Sequence, residues 1–572
     1  MSAETLPQDI WLLIAKELGE RREFNTLFCC SVVSRKVSSL AVEQLYSILQ
    51  VSDPFIEGKL QSAQLWRSLI LSSIGSTVYP YCAYVLEDNH WNVVLASTIQ
   101  ALSLGSGLGY FLDDIRSDTR TRNFFFESPM QQFQDDMNMN TRNRFVREDL
   151  MKINIKCADS ITKYIKELAV NSGTAVALRH LEVGQITRDT LVSWITRLGT
   201  LTFLQLENGS VLNSEVATAL SKYCPNFKEL ECFQWAVSTT SEEVAAFFQT
   251  LRQNSLQRLA ILSTNLIEEP SLDALKSQAE SLRELCLKSL SSSATKSLGK
   301  LSKCTALEII DIEMVHWEPP IHDSQDEDSL RTAAWIRSCK QLHELNLCHI
   351  GNALSMLKNV LEDPEIRLKQ LKLQDYWYQI SDLSSRRVLH DSADGTIESE
   401  VWTALRQQEA LESLTIASQD GAIDGLILSQ HPELTESICR LSKLTTLNLM
   451  QTYVSSAEIR RFTSSLPLLE DLSFGGDIID DSVIEHLRKL PRLVSLSINA
   501  VTAFSFESLQ SFTQNLNPGM RLDLLNQWYD ARLTDDQLAW LELAFTAVDG
   551  RIVITYTDNP DDLHEADFSE DD

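Results

Sequence analysis

The chain has 572 residues, 44% of them apolar, which is ordinary for a soluble packed protein. Its formal net charge of −29 argues against nucleic acid as the main ligand, because phosphate binding needs clustered Lys and Arg. No apolar run reaches the ~18–20 residues that span a bilayer, and the N-terminus lacks the pattern of a secretory signal. We therefore expect an intracellular protein, cytoplasmic or nuclear, that neither enters a membrane nor binds nucleic acid.

Residues 1–49 differ in pattern from the rest of the chain and form the first predicted domain. Apolar residues recur there at four-residue spacing, which indicates one face of a helix: Leu6, Ile10, Ile14 and Leu18. Two further apolar clusters before residue 47 predict two more short helices. Because so small a unit cannot bury this much apolar surface alone, part of it is expected to contact a partner or the rest of the chain.

Residues 50–98 are predicted to form a helical connector. Within it the stretch LWRSLILSSI is apolar nearly all round, which is typical of a buried helix. We expect this helix to cap a repeat array that extends over 99–557. A long polar stretch at 105–147 interrupts the start of the array and is predicted to be a mostly irregular insertion.

A motif of the form Leu-x-x-Leu-x-Leu recurs along the array, mostly at intervals of about 23 to 29 residues. Looser copies begin at Ile99 and Leu150. The clearest copies begin at Leu178, Leu201, Phe227, Leu256, Leu282, Leu307, Leu342, Leu368, Leu411, Leu444, Leu469 and Leu493. This is the period of leucine-rich repeats, which bury their apolar side only against their neighbours. The sequence therefore predicts an α/β solenoid with a parallel concave sheet and convex helices.

Capping boxes mark the expected start of several repeat helices. They occur at Thr240 with Glu243, Ser455 with Glu458, and Thr534 with Gln537. The last strand is predicted at Arg551–Tyr556. The tail over 558–572 has eight acidic residues and no Lys or Arg, so we expect it to be disordered.

Two intervals, 313–335 and 374–405, break the period and are predicted to be insertions at one end of the strands. They carry the aromatic residues Trp317, Tyr376, Trp377 and Tyr378. Such residues are enriched at protein interfaces, so they are candidate anchors for a partner. The alternative is that they pack back onto the solenoid.

The chain has eleven cysteines but no Cys-x-x-Cys pair. Without a secretory signal we expect reduced thiols, and a thiolate zinc site is not indicated. Cys224, Cys304 and Cys339 each stand three residues before the first apolar residue of a repeat. This recurrence predicts small core residues just before a strand.

Side chains alternate across a strand, so the third, fifth and seventh positions of the motif are expected to face the concave side. Between Leu178 and Leu342 these positions are mostly acidic: Glu182, Glu207, Glu229, Glu231, Glu284, Asp311, Glu313 and Glu344. One interpretation is a docking surface for a basic peptide or domain. The other is a solvated sheet face in an acidic protein. In later repeats small neutral residues, such as Ser473 and Ser497, occupy the same positions.

Patterns of catalytic or ligand-binding residues are weak. The segment GSGLGY at 105–110 lacks the Lys-Ser/Thr pair and the acidic ribose partner of phosphate-binding loops. No HExxH, GxSxG or kinase signature occurs, and the ten histidines show no metal spacing. We expect no catalytic residue, no cofactor and no bound metal, and hence a protein that is not itself an enzyme.

The N-terminal segment resembles an F-box, especially the fungal form. The similarity lies in LPQDIWLLIAKEL, then LFCCSVVSRKVSSLA, then LYSIL, with the Leu-Pro start and the closing Leu45-Tyr46 in the expected order. Together with the repeats, the whole chain resembles an F-box/leucine-rich-repeat protein. The cysteine before the repeat is a further point of similarity.

This resemblance implies the substrate-recognition subunit of an SCF-type ubiquitin ligase. The F-box would bind the Skp adaptor, which connects to a cullin scaffold, and the repeats would bind the protein substrate. The resemblance implies these adaptor contacts: Leu6, Pro7, Ile10, Ile14, Leu18, Leu27 and Val33. Two alternatives remain open, namely a repeat scaffold without a ligase role and a repeat regulator of a GTPase or another enzyme.

Overall fold

The computed structural model describes residues 7–44, except 22, 32–36, 39 and 43, and residues 162–556, except 185, 236–239, 265–266, 316–326, 351–352, 375–393, 418–425 and 528–530, together with positions 72, 155 and 159. The chain divides into two compact units, Met1–Leu266 and Ile267–Asp572. The predicted connector, apart from Ser72, lies outside the described residues, as do the insertion at 105–147 and the acidic tail. In the described part of the chain no helix is long and apolar enough to cross a membrane.

The first unit begins with two helices, α1 (Gln8–Glu20) and α2 (Phe24–Ser31), and the backbone is helical again at the described positions between 37 and 44. Their buried side chains form one small core: Ala15, Leu27, Leu40 and Ala41, with Trp11, Leu18 and Cys30 packed against it. The predicted apolar stripe of α1 is therefore partly packed on the core and partly exposed. Leu18 packs on this core, whereas Ile10 and Ile14 are exposed.

Among the described residues of the first unit, four parallel strands follow: β1 (His180–Val183), β2 (Phe203–Asn208), β3 (Glu229–Gln234) and β4 (Arg258–Ile261). A helix follows each of the first three: α3 (Arg188–Ile195), α4 (Ser214–Tyr223) and α5 (Ser241–Thr250). Helical residues 162–172 precede β1. Neighbouring helices pack on one another in chain order.

The described part of the second unit contains ten parallel strands, each paired with its neighbours in chain order. They are β5 (Glu284–Leu290), β6 (Ile309–Met314), β7 (Glu344–Cys348), β8 (Gln370–Gln374), β9 (Ser413–Ala417), β10 (Thr446–Tyr453), β11 (Asp471–Ile479), β12 (Ser495–Thr502), β13 (Arg521–Gln527) and β14 (Arg551–Tyr556). Its α-helices are α6 (Glu269–Ala274), α7 (Ser292–Lys296), α8 (Glu327–Ser338), α9 (Ala353–Leu361), α10 (Asp394–Leu405), α11 (Pro432–Ile438), α12 (Ser456–Ser465), α13 (Ile484–Leu487), α14 (Phe506–Phe512) and α15 (Asp535–Thr546).

The second leucine of each motif sets the strand register. In the first unit these residues pair across neighbouring strands as a ladder of buried side chains: Leu181, Leu204, Leu230 and Leu259. The second unit repeats the ladder from Leu285 on β5 to Ile552 on β14. Each such side chain stabilises the fold by about 1.5–3 kcal/mol when fully buried. Parallel strands that alternate with helices at this period confirm the predicted α/β repeat fold.

The two intervals predicted as insertions contain regular repeat elements. The interval 313–335 includes the end of β6 and most of α8, whose Trp335 and Ile336 are buried. The interval 374–405 likewise ends in α10. The extra length therefore precedes these helices, over 316–326 and 375–393, outside the described residues. The four predicted aromatic anchors fall in the same gaps.

The recurring cysteines are core residues, as predicted. Cys224, Cys304 and Cys339 are buried, and the Sγ of Cys224 lies 3.2 Å from the carbonyl oxygen of Leu198. Burial raises the pKa of these thiols from 9.0 to about 12, 11 and 12, respectively. Thiols that remain protonated at neutral pH are poor nucleophiles, which agrees with a packing role.

The predicted capping boxes at Ser455 and Thr534 are both formed, with reciprocal hydrogen bonds to Glu458 and Gln537. At the third site the hydroxyl of Thr240 accepts a hydrogen bond from the backbone amide of Glu243 at 3.3 Å. The predicted last strand is present as β14.

Candidate functional site

Helices α1 and α2 expose large apolar side chains although they have a core of their own. Leu13 is 62% exposed and Phe28 is 60% exposed. Ile10, Leu12 and Ile14 are also exposed. We call Ile10, Leu13, Ile14 and Phe28 the exposed apolar set. Clustered apolar side chains on a short helical unit are typical of a surface that another protein covers.

The structure gives different environments to the seven residues predicted to contact an adaptor. Pro7, Ile10 and Ile14 are exposed, and Leu18 is half-buried. Leu27 is fully buried in the helical core, so it supports the helices from within. Leu6 and Val33 lie outside the described residues.

Two members of the exposed apolar set, Leu13 and Phe28, were absent from the predicted contacts. Residues one position apart on a helix point about 100° away from each other. Phe28 therefore faces solvent because Leu27 faces the core. The FNTLFCCS stretch of α2 did not indicate which of the two points inward, since both are large and apolar.

The strands of the first unit carry the second group of candidate residues, on the side opposite the leucine ladder. We call this side the unit 1 strand face. Three rows of side chains cross it in register. The first row is His180, Phe203, Glu229 and Arg258; the second is Glu182, Gln205, Glu231 and Ala260; the third contains Glu207, Phe233 and Leu262.

Charge is partly neutralised within the unit 1 strand face. Glu231 forms an ion pair with Arg258, with 2.7 Å between Oε2 and Nη1. Burial and the nearby Glu231 carboxylate raise the pKa of Glu182 from 4.5 to about 8. Glu182 is therefore largely protonated at neutral pH. Within the part of the chain that the structure describes, Glu207 and Glu229 form no ion pair.

The raised pKa of Glu182 leads to a testable pH dependence. Between pH 4.5 and about 8 the folded chain holds a proton that the unfolded chain has released. The free energy of unfolding is therefore expected to fall as pH rises through this interval, because the unfolded state binds fewer protons. Glu182→Gln should raise the free energy of unfolding at pH 8 by on the order of 4 kcal/mol and change it little at pH 4.5.

The measurement is the urea midpoint of the intact chain across this pH range, followed by far-UV circular dichroism. Glu207→Gln is the matched control, since Glu207 is exposed at the end of β2. Parallel pH profiles for the wild type and Glu182→Gln would contradict the expectation.

The unit 1 strand face also presents aromatic and aliphatic side chains that were not among the predicted site residues. Phe233 is 54% exposed and Leu262 is 39% exposed. Nearby, the rings of His180 and Phe203 meet edge to face with centroids 5.5 Å apart. The alternation rule that selected the acidic residues also selects these four, so the signal was present in the sequence.

In the second unit the predicted acidic residues are also engaged by neighbours. The ammonium of Lys288 lies 2.6 Å from Asp311 Oδ1 and 3.4 Å from Glu313 Oε2. The side-chain amides of Asn346 and Gln370 donate to Glu344 Oε1 at 3.0 and 2.9 Å. Glu284 stands on β5 opposite Ile309. The strand face of this unit is therefore less negative than its acidic residues alone indicate.

Later strands carry the predicted small neutral residues in register. One row contains Thr415, Asn448, Ser473 and Ser497 and continues to Asp523 and Val553. The row has neither a nucleophile paired with a base nor a concentration of charge. Among the described residues no group of three or more His, Cys, Asp or Glu side chains could hold a metal ion.

No protein-family model and no curated protein matches this chain. Among solved structures, a chain of the yeast Rad7 and Elc1 complex is similar over 75% of this chain and 99% of its own length, at 13% identity and a TM-score of 0.37. A chain of the TLR13–ssRNA13 complex matches over 61% and 56%, at 14% identity and a TM-score of 0.32. An internalin (InlF) of Listeria monocytogenes matches over 58% and 88%, at 14% identity and a TM-score of 0.28. At these values none of the three assigns a partner or an activity to this chain.

Proposed function

We propose that this chain is the substrate-recognition subunit of an SCF-type ubiquitin ligase. Helices α1 and α2 bind the Skp adaptor, which connects to a cullin scaffold, and the repeats bind the protein substrate. The observation that carries the proposal is the exposed apolar set on a helical unit that resembles an F-box and precedes a repeat array. In this role the chain performs no chemistry itself.

The arrangement of α1 supports adaptor binding through its outer face. Trp11, Ala15 and Leu18 pack on the core side of the helix. Leu13 and Ile14 remain exposed. Apolar anchors at one face of a short helix are the usual means by which a helix binds in an apolar groove. Burial of these apolar side chains by a partner would be favourable, because it removes apolar surface from water.

The repeats support substrate binding because their strands present long rows of side chains at fixed spacing. Neighbouring strands lie ~4.8 Å apart, so each row presents its side chains to a partner at regular intervals. A substrate bound there would be brought close to a ubiquitin-charged enzyme held elsewhere in the complex. The contribution of this chain to the rate is then a raised effective concentration of the substrate lysine near the reactive thioester.

The test is capture of a purified Skp adaptor by the intact chain and by an Ile10→Asp/Ile14→Asp variant. Because a buried carboxylate in an apolar interface has a large desolvation penalty, we expect capture by the wild type and loss of at least about tenfold in affinity in the variant. Leu330→Asp is the matched control. It places the same charge at a large exposed apolar side chain of α8, which belongs to the second unit, and should bind as the wild type does.

Failure of the folded wild type to bind the adaptor would contradict the proposal and leave a repeat scaffold with another partner. Equal binding by the wild type and the double variant would show that the exposed apolar set is not the contact surface.

A further inference from the structure

One corner of the unit 1 strand face combines exposed apolar area with unpaired negative charge. The backbone amide of Leu262 donates to the carbonyl of Cys232 at 2.9 Å, which places Leu262 on the chain directly beside Phe233. On the other side of Phe233, β2 carries the exposed Glu207, because Asn208 pairs with Gln234. Glu207, Phe233 and Leu262 therefore stand side by side on three adjacent chain segments.

This corner differs in charge from the row beside it. There the guanidinium of Arg258 forms an ion pair with Glu231 at 2.7 Å, so the charge of this carboxylate is neutralised within the face. Glu207, in contrast, has no ion-pair partner among the described residues. An exposed phenyl ring and an exposed leucine next to an unpaired carboxylate are complementary to a ligand that carries both an apolar group and a positively charged group. An uncharged apolar ligand would leave the carboxylate unused, and an acidic one would be repelled by it.

We propose that this corner binds a protein segment in which a basic side chain lies two or three residues from a large apolar side chain. The spacing follows from the sheet. Glu207 and Leu262 are two strand spacings apart, which is roughly 10 Å. Three residues of an extended chain cover the same distance, because each residue advances the chain by ~3.3 Å. The basic group pairs with Glu207, and the apolar group contacts Phe233 and Leu262. This inference rests on the proposed function, since it names the class of substrate segment that the repeats recognise.

Phe233 is the residue expected to dominate affinity. Interface energy is concentrated in a few aromatic side chains near the centre of a contact, and Phe233 lies between the other two residues. Glu207 is expected to set specificity and the association rate, because an exposed charge contributes more to these than to affinity.

The experiment measures binding of a fluorescein-labelled Gly-Ser peptide with Lys-Ser-Phe-Leu at its centre to the intact chain. Two further peptides replace the Lys by Glu, or both apolar residues by Ser. We expect the first peptide to bind, each replacement to weaken binding, and Phe233→Ala to weaken it by about tenfold. Glu207→Lys should reverse the preference, so that the Glu-containing peptide binds better. Leu543→Ala, at an exposed apolar residue of α15, is the matched control and should leave binding unchanged.

Equal binding of the three peptides, or binding that is insensitive to both Phe233→Ala and Glu207→Lys, would overturn the inference. Adaptor capture measured on the same variants separates this result from the proposed function. A Phe233→Ala chain that captures the adaptor but not the peptide supports both ideas. A wild type that captures the adaptor and binds no peptide overturns only the inference, and one that binds the peptide but no adaptor overturns only the ligase role.

Discussion

Phe28→Asp is expected to abolish capture of the Skp adaptor without unfolding α1 and α2, whereas Leu27→Ala is expected to unfold them. The two residues are neighbours in sequence but differ completely in environment. Phe28 is 60% exposed, and Leu27 is fully buried against Ala15, Leu40 and Ala41. Truncation of a buried leucine costs about 2–5 kcal/mol, which is a large share of the stability of so small a helical unit.

Hydrogen exchange of the α1 and α2 peptides in the intact chain measures this difference directly. Protection should be near wild type in Phe28→Asp and largely lost in Leu27→Ala. Excess adaptor should restore binding to Leu27→Ala in part, because a ligand of the folded state shifts the folding equilibrium by mass action. It should not restore binding to Phe28→Asp, where the contact itself is gone. Full capture by Phe28→Asp would remove α2 from the proposed interface.

Trp235→Ala is expected to give the largest loss of stability in the repeats of the first unit. Trp235 is fully buried after β3, with its ring centroid 6.0 Å from that of Phe247 and 5.8 Å from that of Phe248. Its ring also closes the space above Gly209, where a Cβ would lie only 2.7 Å from the indole. Replacing such a residue by alanine removes its contacts and leaves a cavity, at a cost of about 3–5 kcal/mol.

The measurement is the urea midpoint of the intact chain by far-UV circular dichroism. Trp540→Ala is the matched control, since Trp540 on α15 is partly exposed and its loss should change the midpoint little. Trp235→Phe should lie between the wild type and Trp235→Ala, because a phenyl ring refills part of the cavity. A midpoint for Trp235→Ala equal to that of the control would show that this aromatic cluster contributes little.

The repeat architecture was predictable because its signal is redundant. A motif that returns a dozen times fixes the strands even where single copies are imperfect, as at Phe227. The cysteines before the strands followed from the same periodicity, whereas β13 was not among the predicted copies. The bounds of the insertions around α8 and α10 were predicted from the distance between strands. A longer segment before the helix changes that distance without removing the helix.

The candidate site was less predictable for two physical reasons. Counting acidic residues on one face does not reveal that Arg258 and Lys288 neutralise several of them across strands, because such pairing depends on register and rotamer. Attention to charge also hid Phe233, which occupies the same class of position as the glutamates. In the helical segment, spacing alone could not decide which side of α1 packs inward.

The leucine ladder also limits how this chain can change in length. Within each unit the described strands are hydrogen-bonded to their neighbours in chain order, and the residue at each rung of the ladder is set by its place in the repeat. A single-residue insertion within a strand would turn its outward side chains inward, because alternate residues face opposite sides. Duplication or loss of a whole repeat would leave every remaining rung matched. The strand face can therefore be extended or shortened in evolution by recombination of entire repeats, while its chemistry is altered by point substitution at outward positions.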